Sequence, residues 1–195
     1  MSKSDSGASK REKNKTIRWV LTIFLITILV TGVISFASDA IMASSTMLVA
    51  FIILFAIILI GIIFDVIGVA VTSADERPFH SMASRKVPGA QESIRLLRNA
   101  ERVSSICNDV VGDICGVISG SASATIAAQV LRNFEFTAEY IIPLIMSALV
   151  AGLTVGGKAL GKTFAINSCT RIVHGVGKLV WAFRHLPQTL KKRKN

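Results

Sequence analysis

Charge is scarce in this sequence: only 17% of its 195 residues are Asp, Glu, Lys or Arg, against 51% that are apolar. With a mean hydropathy of +0.58, such a chain belongs with membrane proteins before any residue is placed. Cysteine is equally thin. Cys107, Cys115 and Cys169 show no C-x-x-C spacing and two of them lie in apolar sequence. That excludes a disulfide framework or a zinc site and leaves small apolar thiols. The three histidines, His80, His174 and His185, are not in register with a Ser, Cys or acidic partner that would complete a catalytic set. None belongs to an H-E-x-x-H pattern, and the glycines lie inside apolar runs instead of forming a phosphate-binding loop. No catalytic residue and no enzyme are expected. A net charge of +10 suits nucleic acid in general, but here the basic residues cluster outside the apolar runs, so no nucleic-acid partner is expected.

What is present is a series of apolar runs separated by polar breaks. Residues 1–16 are basic and rich in Ser and are expected to be a disordered tail. The segment 17–38 carries an uncharged run from Trp19 to Ser38, long enough to cross about 30 Å of hydrocarbon and too long for a signal peptide. After a polar break at Ser38, Asp39, Ser44 and Ser45, a second run extends from Thr46 to Thr72 with one interior charge, Asp65. A charged connection, 75–104, contains Pro88-Gly89 and a helical periodicity from Ala90 to Arg102. Two further spans follow, Val103–Leu131 and Tyr140–Gly157, joined by a short loop over Arg132–Glu139. Ile172, Val176, Leu179, Val180 and Phe183 then recur at helical spacing among Arg171, His174, Lys178 and His185. This is the pattern of a basic amphipathic helix in the headgroup plane, with Pro187 as its expected end and 187–195 as a polybasic tail attractive to anionic lipid.

The expected fold is therefore all-α: four transmembrane helices followed by a C-terminal amphipathic juxtamembrane helix. Lys and Arg are abundant in the N-terminus, in 75–104 and in the C-terminus, absent from 39–45, and represented once in 132–139. The positive-inside rule then predicts a multi-pass cell-membrane protein with both termini cytosolic.

The third span is organised by Ile106–Gly120, which holds Asp109 and Asp113 four residues apart, on one helix face. Gly112, Gly116 and Gly120, continued by Ala124 and Ala128, make a small-xxx-small row suited to close helix packing. A carboxylate inside a membrane costs about 2.5–3.5 kcal/mol on insertion scales, so it is expected to face a partner, water or an ion. The alternative is that the two Asp lie at the cytosolic end and meet water.

Three stretches together resemble the transmembrane domain of the CNNM/CorC family of magnesium transport proteins, also called hemolysin-like. Phe64-Asp-Val-Ile-Gly-Val-Ala-Val-Thr-Ser73 is similar to the family's F-S-x-x-E-x-A-L-T-S. Leu96–Arg102 and Ile106–Gly112 resemble L-L-x-x-P-E-R followed by I-G-N-N-L-V-N, and Gly157–Ala165 is similar to G-E-I-I-P-K-T-Y-A. The resemblance covers roughly residues 46–186 and implies a three-helix core, here preceded by an extra span, and homodimers formed through the membrane domain. It also implies a divalent-cation site, most simply for Mg²⁺, to which Asp65, Asn108, Asp109 and Gly157 correspond by position. Departures are specific: Gly68 and Lys158 stand where the family has Glu, and Gly161 where it has Pro. The chain ends about where the family's cytosolic CBS pair would begin, so that pair is expected to be lacking.

Two functions follow. The first is transport or export of a divalent cation through a polar site in the helix core, since Mg²⁺ takes hard oxygen ligands such as carboxylates and amide carbonyls. The second is a membrane scaffold or regulatory subunit that keeps the fold without transport. For Asp65 the residues leave two roles open: a cation ligand, or a carboxylate paired with Lys158 or Lys162.

Overall fold

A computed structural model describes residues 3–43, 45–133 and 140–192. Among them every regular element is helical and no strand occurs. The protein is an all-α membrane protein, with four helices long and apolar enough to cross a bilayer at Ile17–Ser38, Met47–Ser73, Ala100–Arg132 and Ile141–Asn167. The loop expected before Tyr140 lies, from residue 134 on, outside the described residues.

Helix α1 (Lys3–Ala43) is continuous from the basic segment through the first span. The segment expected to be a disordered tail is helical in its backbone from residue 3. Its Lys, Arg and Glu are good helix formers, and no proline separates them from the span. Helix α2 (Met47–Ser73) is apolar on all sides, yet up to its last turns one stripe is enclosed, Ala50, Leu54, Ile58, Gly61, Asp65 and Gly68, with Ala70 and Val71 buried beyond it. The stripe positions recur every three or four residues, the period of one helix face. Leu48, Ile52, Phe55, Leu59 and Ile63 stay exposed, as side chains solvated by lipid do.

The third span opens with α5 (Ala100–Ser105), passes through a π-helical segment (Ile106–Gly112) and continues as α6 (Asp113–Asn133). Ile114, Ile118, Ala122 and Ile126 form its inner stripe. Ala122 and Ile126 pack with Ala50, Leu54 and Ile58, so α6 runs antiparallel to α2. α1 packs on α6. Helix α7 (Ile141–Asn167) packs on both α2 and α6 and runs parallel to α2, Gly157 meeting Ile62 and Gly161 meeting Val66 one turn later. It continues as a helix ten residues beyond Gly157, the expected end of the fourth span, because the following residues remain helix-compatible.

At the end of the bundle formed by the C-termini of α2 and α7, three more helices assemble. These are α3 (Arg77–Ser84), α4 (Ala90–Arg98) and α8 (Cys169–Lys192). The periodicity expected to run unbroken over Ala90–Arg102 is interrupted at Asn99, whose φ of −117° separates α4 from α5. Phe79, Ile94, Leu97, Ala165 and Val173 join Ala70 and Val71 in one apolar cluster. Helix α8 is the expected amphipathic helix. Val173 is buried while Leu179, Val180 and Phe183 are exposed beside Lys178 and Arg184. Its backbone passes through Pro187, which was expected to end it. The side chains beyond His185 lie outside the described residues, as does the polybasic tail from 193 on.

Close backbone contact fixes α8 on α4. Gly89 has a φ of +85°, a conformation that only glycine adopts freely, and it caps the start of α4 against Gly177 and Lys178. Ser93 Oγ lies 2.9 Å from Gly89 O and 3.2 Å from Val173 O, so its hydroxyl donates within this contact. Buried Glu92 reaches Arg95 of its own helix at 3.7 Å and Arg184 of α8 at 4.0 Å. A Cβ at Gly177 would overlap Ser93 Oγ and stand 2.6 Å from Gly89 O, whereas one at Gly175 meets nothing within 4 Å. Gly177→Ala is expected to destabilise the docking of α8 by about 1–3 kcal/mol, as overpacking does, and Gly175→Ala to leave it intact. Melting in detergent, with protease protection of α8, checks the pair.

Candidate intramembrane polar site

The site is built where α2, the π-helical segment and α7 meet. Asp65 lies on the enclosed stripe of α2 and is 6% exposed. One turn further, Gly68 leaves room for Asn108 of the π segment, since a Cβ at 68 would overlap Asn108 Oδ1. Asn108 Nδ2 donates to Ser104 Oγ at 3.3 Å, which turns its carbonyl oxygen towards α2. On the opposing segment the next inward position is Gly112, buried and without a side chain. Lys158 of α7 fills that place. Its Nζ is 3.6 Å from Asp65 Oδ1, and a Cβ at Gly112 would stand 3.4 Å from it.

Two buried acceptors here have no hydrogen-bond partner among the described residues, Asp65 Oδ2 and Asn108 Oδ1. Buried polar atoms are ordinarily paired, and leaving one unpaired is unfavourable by about 1–3 kcal/mol. The π geometry belongs to the same arrangement. A wide turn carries more residues per rotation than an α-turn and is frequent at functional sites; here it holds Asn108, which meets Gly68, and Gly112, which meets Lys158. Hard oxygens within about a turn of each other and an ammonium beside one of them allow the site to bind a cation or to neutralise itself.

The expected site residues separate on this geometry. Asp65 and Asn108 lie on the same contact, Asn108 against Gly68 one turn along α2 from Asp65. Asp109 does not join them: it is on the exposed side of the π segment, where its Oδ2 accepts from Ser105 Oγ at 2.8 Å. Asp113 is exposed as well. Gly157 is a packing position, pressed against Ile62. Of the two lysines open as partners of Asp65, Lys158 is the one in reach and Lys162 is exposed. Among the described residues no group of three or more His, Cys, Asp or Glu could hold a metal ion.

The glycine row behaves differently from its expectation. Gly112 faces Lys158, but Gly116 and Gly120 are exposed and a Cβ at either meets nothing within 4 Å. Within the protomer the close contacts lie elsewhere: Gly61 against Cys115 of α6, and Gly157 and Gly161 against Ile62 and Val66 of α2. Gly157 and Gly161 are themselves a small-xxx-small pair, the signal in the sequence by which this contact could have been found.

No protein-family model matches the chain, and no curated protein does. The class is therefore defined by the fold: a multi-pass helical membrane protein with a polar site inside its core.

Gly157→Val is expected to force α7 away from Ile62 and destabilise the bundle by about 1–3 kcal/mol. Gly116→Val is expected to leave the melting point of the protomer unchanged. Thermal unfolding of both in dilute detergent tells the working seam from the open row.

Proposed function

We propose that this protein transports or exports a divalent cation, Mg²⁺ by the hardness of its oxygen donors, through the polar site around Asp65 and Asn108. The observation that carries the reading is the pair of buried oxygens without hydrogen-bond partners, Asp65 Oδ2 and Asn108 Oδ1. A carboxylate and an amide carbonyl are the donors that Mg²⁺ accepts, and the ion keeps several waters, so a partial protein shell suffices. Mg²⁺ is the cargo here and not a resident cofactor.

A second reading is favoured by Lys158. Its ammonium at 3.6 Å from Asp65 Oδ1 compensates the carboxylate without any ion, and a protein neutralised in this way serves as a membrane scaffold or regulatory subunit. Proteoliposomes loaded with a Mg²⁺ indicator distinguish the readings. Under the transport reading wild type carries flux above empty vesicles, and Asp65→Asn and Asn108→Ala bring it to background while both variants stay folded. Flux at background for the wild type decides for the scaffold.

The reading includes an orientation. Arg77, Arg85, Lys86, Arg95 and Arg98 fall on the connection between the second and third spans and Arg102 at the start of the third, and the positive-inside rule assigns that connection and both termini to the cytosol of a cell-membrane protein. A reporter fused after Asn195 is expected to be active only when it requires the cytosol. The resemblance to CNNM/CorC proteins adds a homodimer through the membrane domain, which cross-linking at the exposed Gly116–Gly120 face can reveal.

A further inference from the structure

We propose that Lys158 is a tethered cation: its ammonium occupies the polar site and competes with a free metal ion for Asp65. The inference rests on the reading of Asp65 and Asn108 as a cation site, and it adds how that site is controlled.

Four observations carry it. The Nζ-to-Oδ1 separation of 3.6 Å exceeds the roughly 2.7–2.9 Å of a direct charge-assisted hydrogen bond. The ammonium is therefore held by the field of Asp65 without being locked by a bond. Second, the lysine leaves the site's other oxygens unsatisfied, since Asp65 Oδ2 and Asn108 Oδ1 remain without partners beside it. A side chain whose role was to complete a structural network would be expected to use them. Third, the ammonium lies beside Gly112, where even an added Cβ would stand 3.4 Å from Nζ, in ordinary contact, so no side chain of the π segment pins it. Fourth, the lysine has a way out. Its side chain is 26% exposed against 8% for Asp65.

Depth in the membrane supports the same exit. Helix α7 has 27 residues, about 40 Å at 1.5 Å per residue, and overhangs about 30 Å of hydrocarbon by about 5 Å at each end when centred. Lys158 lies nine residues before Asn167, so its Cα is about 8 Å inside the hydrocarbon edge. A lysine stem spans most of that distance and can carry its charge to the interface. The carboxylate of Asp65 cannot follow.

Occupancy is exclusive for an electrostatic reason. A divalent ion bound to Asp65 Oδ2 with Lys158 in place would lie within a few ångströms of a positive charge in a weakly polarisable surrounding, where repulsion is strong. The ion enters as the ammonium leaves. No bond is made or broken in the exchange.

The test uses the full chain purified in detergent, melted with and without millimolar MgCl₂, with choline chloride matching the ionic strength. Wild type is expected to respond weakly. Lys158→Met is expected to melt lower without Mg²⁺ and to regain the loss as MgCl₂ rises, with the logarithmic dependence of a ligand that binds only the folded state. Lys158→Gln keeps a hydrogen-bond donor beside Asp65 while removing the charge. It is expected to behave alike and is the variant read if Lys158→Met does not fold. Asp65→Asn added to either should abolish the response. The proposal is overturned if the lysine variants respond to MgCl₂ no more than wild type, or if the response survives in the double variants. Flux separates this outcome from that of the transport reading. Lysine variants that gain Mg²⁺ binding while wild type shows no flux uphold the tethered cation and remove transport. Wild-type flux with no gain in the variants does the opposite.

Discussion

The approach of neighbouring helices to α2 is the constraint on which the rest depends. In a bilayer, lipid tails solvate apolar side chains as well as other helices do, so association relies on how closely backbones can come. Here closeness is obtained by omission. Gly61 and Gly68 leave room on α2 for Cys115 and Asn108, while Gly157 and Gly161 leave room on α7 for Ile62 and Val66. Side chains are missing from α2 where it meets the third span and from α7 where it meets α2. The outer faces need no such fit, and Leu48, Phe55, Leu144 and Leu160 stand exposed.

These contacts also create the polar site. Asp65 lies between Gly61 and Gly68 on the one enclosed stripe of α2, so close packing on either side excludes lipid and bulk water from it. A carboxylate in that position requires compensation on the scale of several kcal/mol. Lys158 supplies the charge, and it does so because Gly157 and Gly161 bring its helix into reach. Packing and electrostatics are thus one design: the residues that make α2 and α7 touch are the neighbours of the residue that neutralises Asp65.

Much of this was legible in the residues. The four spans follow from uncharged lengths, and the amphipathic α8 from Ile172, Val176 and their periodic neighbours, because both are local properties of the chain. Asp65 and Asn108 were singled out by type and place; the structure sets Asn108 against Gly68, one turn along α2 from the buried Asp65. What failed depends on which way a helix faces. The row Gly112, Gly116, Gly120 has the same spacing as Gly157 and Gly161, yet only the second pair and Gly112 meet neighbours. Spacing identifies a face but cannot say what lies opposite. Asp109 was grouped with Asn108 through the resemblance, which sets both against the paired Asn of the family motif, and adjacent residues on a helix point about 100° apart. Nor does composition announce a π segment, so the register of the third span could not be read.

That segment has a consequence for how the chain tolerates change in length. An α-helix advances about 100° per residue, whereas a π turn accommodates an additional residue. Ile106–Gly112 thus absorbs an additional residue between the helix before it and Ile114, Ile118, Ala122 and Ile126 after it. Losing one residue there would let the turn close to ordinary α-helix and leave the helices on either side in phase. Losing one residue from the regular helix α6 instead would rotate everything upstream of the loss by about 100° relative to everything downstream. The third span is therefore most tolerant of a one-residue loss where its helix is widest.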